Sequence, residues 1–254
     1  MRERRSDATD LDGDAADPAL VRAALADADP LPGTDGFAGV VNGTLVRDVL
    51  GRRPVFVDAD HDRWSRTPDG LNHPRSLPAG HALDGDGERR VWSLPDPAPP
   101  NDDDAALAAV ADAVETSVRG VEPEGLAVAF SGGVDSAVVA AGVPKAPLYV
   151  AGFEGAHDVA AARDAATAMD RDLREVVLSH ADLERAGPEV AAATGRRTPM
   201  DVAIALPLYL VAERAAADGY DRLAVGQGAD ELFGGYAKVA DPAGDHRVDA
   251  DTVR

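Results

Sequence analysis

Four short apolar runs, LAVAF (126–130), PLYVAGF (147–153), REVVLS (174–179) and RLAVG (222–226), have the length of strands and recur through the second half of the chain. Between them lie stretches with helical spacing at about 137–142, 157–169, 181–193 and 201–217. Strands that are apolar on both faces and alternate with helices predict an α/β fold. Its parallel sheet is covered by helices on both faces and takes ligands at the carboxyl ends of its strands. Just upstream, Leu107, Val110, Val114 and Val118 fall three and four residues apart, which predicts one apolar helix face ending at Gly120.

The first half has a different rhythm. Asp17, Pro18 and then ALVRAALADA read as an N-cap, a first-turn proline and a short helix. From Gly33 to Trp92, short apolar runs (Phe37 to Val41, Pro54 to Val57, Arg89 to Trp92) are separated by turn residues, so a small β-rich region is expected over 18–94. Residues 1–17 are polar and poor in bulky apolar groups, and are expected to form a loose, disordered arm. The segment PDPAPPNDDD (95–104) concentrates proline and aspartate and is the expected linker, leaving 105–254 as the second domain. No internal repeat is evident.

Composition narrows the function. The 254 residues are 45% hydrophobic, enough for a substantial core, and carry a formal charge of −20. Lysine occurs only at Lys145 and Lys238, aspartate outnumbers glutamate, and the acidity is spread along the chain, a balance that reads as halophilic solvent adaptation. No basic stripe is visible, which opposes a nucleic-acid partner, although molar salt screens charges within roughly 3 Å. The absence of cysteine excludes disulfides, thiolate zinc sites and cysteine nucleophiles. The charged start MRERRSDATD does not resemble a secretory signal, and the apolar stretch Met200 to Ala217 is interrupted by Pro207 and Glu213, so no membrane span and a cytoplasmic location are expected.

The strongest local signal is AFSGGVDSAVVA, in which SGGVDS follows an expected strand and opens a helix. Small residues let successive N–H groups from Ser131, Gly132, Gly133, Val134, Asp135 and Ser136 point at one phosphate cluster. The helix start and the two serine hydroxyls add to that attraction. Asp135 repels phosphate unless a cation lies between them, so the loop predicts Mg²⁺ as well as nucleotide. This hexapeptide resembles the signature of the PP-loop ATP pyrophosphatases, whose adenine nucleotide alpha hydrolase-like fold cleaves ATP between its α and β phosphates.

A second glycine-rich run, AVGQGADELFGGY (224–236), follows the last expected strand, where it can face the first loop across the strand ends. The two motifs together, about ninety residues apart, look like the synthetase domain of the asparagine synthetase family. GFEGAHDVAAARDAA (152–166) and TPMDVAIALPLYLVAERA (198–215) are similar to further pieces of that domain, so the resemblance covers about residues 105–240. LVRDVLGRRPVFVD (45–58) and LPAGHALDGDGERRVW (77–92) are similar to two pieces of the glutaminase domain that precedes it. That domain works through an N-terminal cysteine, so glutamine hydrolysis is not expected here.

The resemblance implies amide formation: a carboxylate, aspartate in the family, is adenylated by ATP with release of pyrophosphate and then attacked by ammonia. It implies ATP and Mg²⁺ as cofactors, Asp135 and Asp230 as metal ligands, and a small-molecule carboxylate and ammonia as substrates, the ammonia free or supplied by a separate glutaminase. Gly152, Phe153, Val225 and Gly226 would border the adenosine. Arg196 and Arg197 are candidate clamps for carboxylate or phosphate, or a solvated surface pair.

Two departures from the family stand out. Where the family has a glutamate before DELFGGY, this chain has Gln227, which can hydrogen-bond in the acceptor reaction but cannot take a proton. The family also continues past GGY into helices that supply a lysine, a role for which Lys238 is poorly placed. Gln227 favours a different acceptor, such as one that closes a lactam ring. A non-catalytic ATP-binding module and, more distantly, a tRNA-modifying PP-loop enzyme are the other readings. The histidines His61, His73, His81, His157, His180 and His246 show no ligand spacing, and Trp64 and Trp92 read as core.

Overall fold

The computed structural model describes residues 9–13, 17–34, 36–60, 63–95, 102–196 and 198–233. They form two compact units, one holding the described residues up to 95 with Ala192–Gly195, the other holding residues 102 to Ala191 and those from Arg196 onward. Residues 96–101 of the expected linker lie outside the described residues, as do Arg197, His61, His246, Lys238 and the GGY of the second motif.

The first unit is antiparallel. Strands β1 (Asp10–Asp12), β2 (Ala38–Val41) and β3 (Thr44–Arg47) combine with β7 (His81–Asp84) and β8 (Gly87–Arg90) in the order β1-β2-β3-β7-β8. A smaller sheet runs β5 (Trp64–Ser65), β4 (Phe56–Val57), β6 (Arg75–Ser76). Helix α1 (Pro18–Asp27) starts as expected, the Asp17 carboxylate accepting from the Ala19 N–H at 2.8 Å. Trp92 is core: it meets Phe37 edge to face at 5.5 Å, and its indole N–H donates to the Ala24 carbonyl. Trp64 is buried among Val55, Val57 and Leu77.

The expected loose arm is corrected over Asp10–Asp12, which pairs with β2. The reason lies in the partner strand: a Cβ at Gly39 would stand 2.0 Å from the Asp10 carbonyl oxygen, so only glycine admits the acidic strand there. The expected linker is likewise shorter at its end, because its aspartates start a helix. Asp102 caps α2 (Asp103–Arg119), accepting from the Asp104 N–H at 3.0 Å, and Asp103 and Asp104 sit in the first turn where the dipole favours negative charge.

The second unit carries the α/β architecture expected from the sequence. Strands β9 (Leu126–Ala129), β10 (Leu148–Gly152), β11 (Leu173–Val177) and β12 (Arg222–Ala224) are parallel, in the order β11-β10-β9-β12. Between them run α3 (Val134–Gly142), α4 (His157–Ala168), α5 (His180–Thr194) and α6 (Pro199–Ala217), with α7 (Ala229–Phe233) after β12. Alternate side chains of the strands feed two cores. Leu126, Val128, Leu148 and Val150 pack with Ala140, Val143, Val159 and Ala162 from α3 and α4. On the other face Ala127 and Tyr149 pack with Val211 and Ala215 from α6. The apolar face of α2 is present but buries none of its residues; Leu107, Val110, Val114 and Val118 line an open groove of about 790 Å³ with Val138, Leu232 and Phe233.

Among the described residues, Asp48 and Asp58 are the buried carboxylates, so the remaining described acidity is carried nearer the surface. No helix among the described residues is long and apolar enough to cross a membrane.

A polar peg fixes the α6 side of the sheet. The buried Tyr149 hydroxyl donates to the Asp218 carboxylate at 2.7 Å, and Arg174 reaches both the Tyr149 oxygen (2.6 Å) and Asp218 (3.2 Å). Burial, then the hydrogen bond to Asp218, pushes the phenol above its ordinary 10.0, while the bond from Tyr149 holds the Asp218 carboxyl below its ordinary 3.8. The stabilisation from Asp218 is therefore present above pH 3.8 and lost as the pH falls through its depressed value. That from Tyr149 is present below pH 10.0 and lost as the pH rises through its raised value. Tyr149→Phe is expected to lower Tm by roughly 2–4 °C at neutral pH, with the deficit shrinking toward both extremes. Thermal melts across pH check this, and a deficit constant at every pH refutes it.

Candidate active site

Strand β9 leads through the buried Phe130 into the loop Ser131–Gly133 and then α3. Two glycines make the turn possible. Gly132 has φ +80°, and a Cβ there would lie 2.8 Å from the Ala161 carbonyl oxygen and Ala162 Cα of α4. Gly133 is the N-cap of α3 and brings no side-chain acceptor, so the first-turn N–H groups of α3 remain directed out of the helix end.

The serines brace the turn from within. Ser136, only 4% exposed, donates to the Gly133 carbonyl at 3.0 Å and accepts from the Ser131 N–H at 3.3 Å, and the two hydroxyl oxygens lie 3.2 Å apart. The Gly133 N–H donates to the Ser131 hydroxyl at 3.3 Å. These bonds tie the loop to the first turn of α3.

The second motif reaches this loop through Gly226. A Cβ at that position would stand 2.9 Å from the Ser136 nitrogen and 3.0 Å from both the carbonyl carbon and the Cβ of Asp135. The main chain after β12 is thus seated on the first turn of α3. The parallel pairing of β12 with β9, Leu126 facing Arg222 and Val128 facing Ala224, sets this meeting.

Together the two segments border a cavity of about 470 Å³ at the carboxyl ends of β9, β10 and β12. Of the residues expected from the sequence, Ser131, Gly133, Asp135, Ser136, Val225, Gly226 and Gln227 line it. Others are placed differently. Gly132 packs against α4, and Val134, the first residue of α3, is 74% exposed and faces the neighbouring apolar groove. Gly152 lies against Val159, and Phe153 is exposed, its ring tilted on His180 at 5.2 Å, outside the cavity lining. Asp230, half-buried on α7 two residues beyond Gly228, is not on the lining either. Arg196 is exposed at the approach to α6.

The lining also contains residues the sequence reading passed over. Asp158, in the first turn of α4, supplies a second carboxylate, and Pro207, Leu208 and Val211 of α6 with Ala151 of β10 supply an apolar wall. The signal for Asp158 was available, because a helix following a parallel strand starts at the carboxyl edge, where ligands bind.

Among the described residues, Asp135 and Asp158 are the charged residues of the lining, with neither lysine nor arginine beside them. A polyphosphate entering this cavity meets N–H groups and hydroxyls but also like charge, and a hard divalent cation resolves that conflict. The residues present fit Mg²⁺, whose ligands are carboxylates completed by substrate phosphate oxygens and water. Among the described residues no group of three or more His, Asp or Glu forms an all-protein metal cage, which is the arrangement Mg²⁺ does without.

The α/β unit thus sets a glycine-rich loop against a second glycine-rich turn at the strand ends, with N–H groups and hydroxyls suited to an anion. Residues 105–251, more than half of the chain, match the Asparagine synthase family, and the chain belongs to that family. It is 35% identical over 133 residues to a Methanocaldococcus jannaschii protein provisionally named asparagine synthetase (glutamine-hydrolyzing) 1, covering 51% of this chain and 24% of the relative. It is 28% identical over 218 residues to the asparagine synthetase (glutamine-hydrolyzing) of Sandersonia aurantiaca, covering 75% of this chain and 41% of the relative. The chain thus spans well under half the length of these curated relatives.

Proposed function

We propose that this chain is an ATP-dependent amide ligase that forms AMP and pyrophosphate, adenylating a small carboxylate, aspartate in the first instance, for attack by ammonia. The observation that carries the reading is the seat of Gly226 on the Asp135–Ser136 backbone, which makes one cavity of the two glycine-rich motifs. Its support in sequence is the family match over residues 105–251.

In this reading the acceptor carboxylate attacks the α-phosphorus and pyrophosphate departs. Ammonia then attacks the acyl carbon, the acyl C–O bond of the mixed anhydride breaks to release AMP, and the nitrogen gives up a proton. Charge accumulates on the departing pyrophosphate, and that is where the chain's groups act. The first-turn N–H groups of α3 and the Ser131 hydroxyl donate to phosphate oxygens, while the Ser136 hydroxyl, which donates to the Gly133 carbonyl, braces the loop. Mg²⁺, when bound, neutralises phosphate charge; Asp135 would hold it, with Asp158 the other carboxylate of the lining, and Asp230, which stands off the lining on α7, is the second ligand that the family resemblance assigns. Val225 and Gly226 border the nucleoside, with Gly152 and Phe153 further along the same edge of the sheet.

Gln227 lines the cavity where the family carries glutamate, so the proton lost by the attacking amine passes to water or substrate. This favours, as a second reading, a carboxylate-adenylating enzyme with a different amine, such as one closing a lactam. The chain has no cysteine and so no thiol for glutamine hydrolysis, leaving free ammonia or a separate glutaminase as the nitrogen source. A non-catalytic ATP-binding module is the third reading.

Pyrophosphate release measured with ATP, Mg²⁺, aspartate and ammonium in high salt separates them. Release that requires aspartate is the expected result. Release only with other acids supports the second reading, and ATP binding with no release under any acid supports the third.

A further inference from the structure

At the end of α3 away from the cavity, the helix is held by a side chain from outside it. Arg171 lies in the turn between α4 and β11. Its guanidinium donates to the Ala140 carbonyl at 2.7 Å, to the Val143 carbonyl at 3.4 Å and to the Ala146 carbonyl. Those oxygens belong to the last turn of α3 and the segment just beyond it, where a helix leaves carbonyls without intrahelical donors and carries its negative pole. Ala140, Val143 and Ala146 are themselves buried, so water is a poor substitute for the guanidinium.

The same residue closes α4. Asp170 takes a left-handed conformation (φ +53°), and the Arg171 N–H then returns to the Ala166 carbonyl at 2.9 Å. Main chain and side chain of one residue therefore fasten together the carboxyl ends of α3 and α4. Ahead of α3, the phosphate loop meets α4 a second time, where Gly132 packs on Ala161 and Ala162, midway along that helix, without room for a Cβ. A short helix pinned at its far end cannot slide along its axis without carrying the loop with it.

We infer that Arg171 is a positioning residue for the phosphate loop: by clamping the carbonyls at the far end of α3 to the end of α4, it sets the height at which the N–H groups of Val134 to Ser136 stand in the cavity. The inference rests on the nucleotide reading of that cavity. Burial lowers the pKa of this guanidinium, which nevertheless stays charged and faces a helix pole in place of a carboxylate.

The test is ATP affinity of the full 254-residue chain by calorimetry, with KM and kcat for pyrophosphate release, in Arg171→Gln, Arg171→Lys and Arg171→Ala. Val190→Ala serves as the control for stability alone, because Val190 is buried on α5 and is not on the lining of the cavity. Arg171→Gln is expected to weaken ATP binding on the order of tenfold, raising KM more than it lowers kcat. Lysine, lacking the fork, is expected to recover part of the loss, and millimolar ethylguanidinium added to Arg171→Ala to recover most of it. Val190→Ala is expected to leave ATP affinity within twofold.

Unchanged affinity in a folded Arg171→Gln or Arg171→Lys chain overturns the inference while leaving the nucleotide reading intact. Equal losses in the control and the Arg171 variants, with no rescue by ethylguanidinium, overturn it in favour of general destabilisation. A wild-type chain that binds no ATP overturns the nucleotide reading and this inference together.

Discussion

With Gly226 replaced by alanine, ATP-dependent pyrophosphate release is expected to fall about a hundredfold. The new Cβ would sit 2.9 Å from the Ser136 nitrogen and 3.0 Å from two carbon atoms of Asp135. Two of these three atoms are main chain, which has no flexible end to swing away, so the segment after β12 must move off the first turn of α3. Displacements of about 1 Å at a reacting centre cost roughly two orders of magnitude. Overpacking of this kind lowers stability by about 1–3 kcal/mol, a loss the fold can absorb, so the variant is expected to melt a few degrees lower but to remain folded. Rate and Tm measured side by side decide the matter. A folded Gly226→Ala chain working at the wild-type rate means that the two motifs do not act as one site.

The largest expected effect belongs to Asp135→Asn. The amide keeps the size and shape of the carboxylate and removes its charge, so packing on the first turn of α3 is preserved while metal affinity is lost. Release of pyrophosphate at fixed Mg²⁺ is expected to drop on the order of a thousandfold, with a higher Mg²⁺ concentration needed for half of the residual rate. Asp230→Asn is expected to behave alike, and the double variant to be scarcely worse than either single one, since residues serving one function are not additive. Magnesium titrations of the three variants provide the check. Fully additive losses, or an unaltered magnesium requirement, would separate the two aspartates and remove the shared-metal assignment.

Although the edge strand β11 exposes Arg174 and Glu175, the sheet of the second unit was legible because its central strands β9 and β10 are apolar on both faces. Each needed helices above and below, and that demand fixes parallel pairing whatever the details. The first unit was harder to read. Its strands β3 and β7 bury only their two central residues and end in polar or charged ones, so Thr44–Arg47 and His81–Asp84 do not stand out as apolar runs. Strand β1 is Asp-Leu-Asp and carries no pattern at all; it forms because Gly39 leaves room beside it.

At the site, the glycine-rich motifs identified the loop but not the direction of every side chain in it. Val134 lies in the middle of SGGVDS, yet as the first residue of a helix it turns outward, whereas Asp135 and Ser136 turn toward the cavity. Helical phase separates them, and no motif records where that phase begins. Phe153 shows the same limit at a strand end, where leaving the sheet let its ring settle on His180. Asp158 and the α6 wall lie in segments similar to the family but outside either glycine-rich motif, and the packing of α4 and α6 on the sheet brings them to the cavity.

The position of β12 also orders events in time. It is the last strand of the sheet and pairs with the first, β9, so its ladder closes a loop that contains β10, β11 and four helices. Such distant pairings form late, after local helices and neighbouring strands have condensed. As the polypeptide leaves the ribosome, the loop after β9 emerges early and waits with one side of its cleft missing. On the proposed nucleotide reading, triphosphate is gripped from both sides only once Val225 to Gln227 have arrived, which makes nucleotide capture a late reporter of a completed sheet.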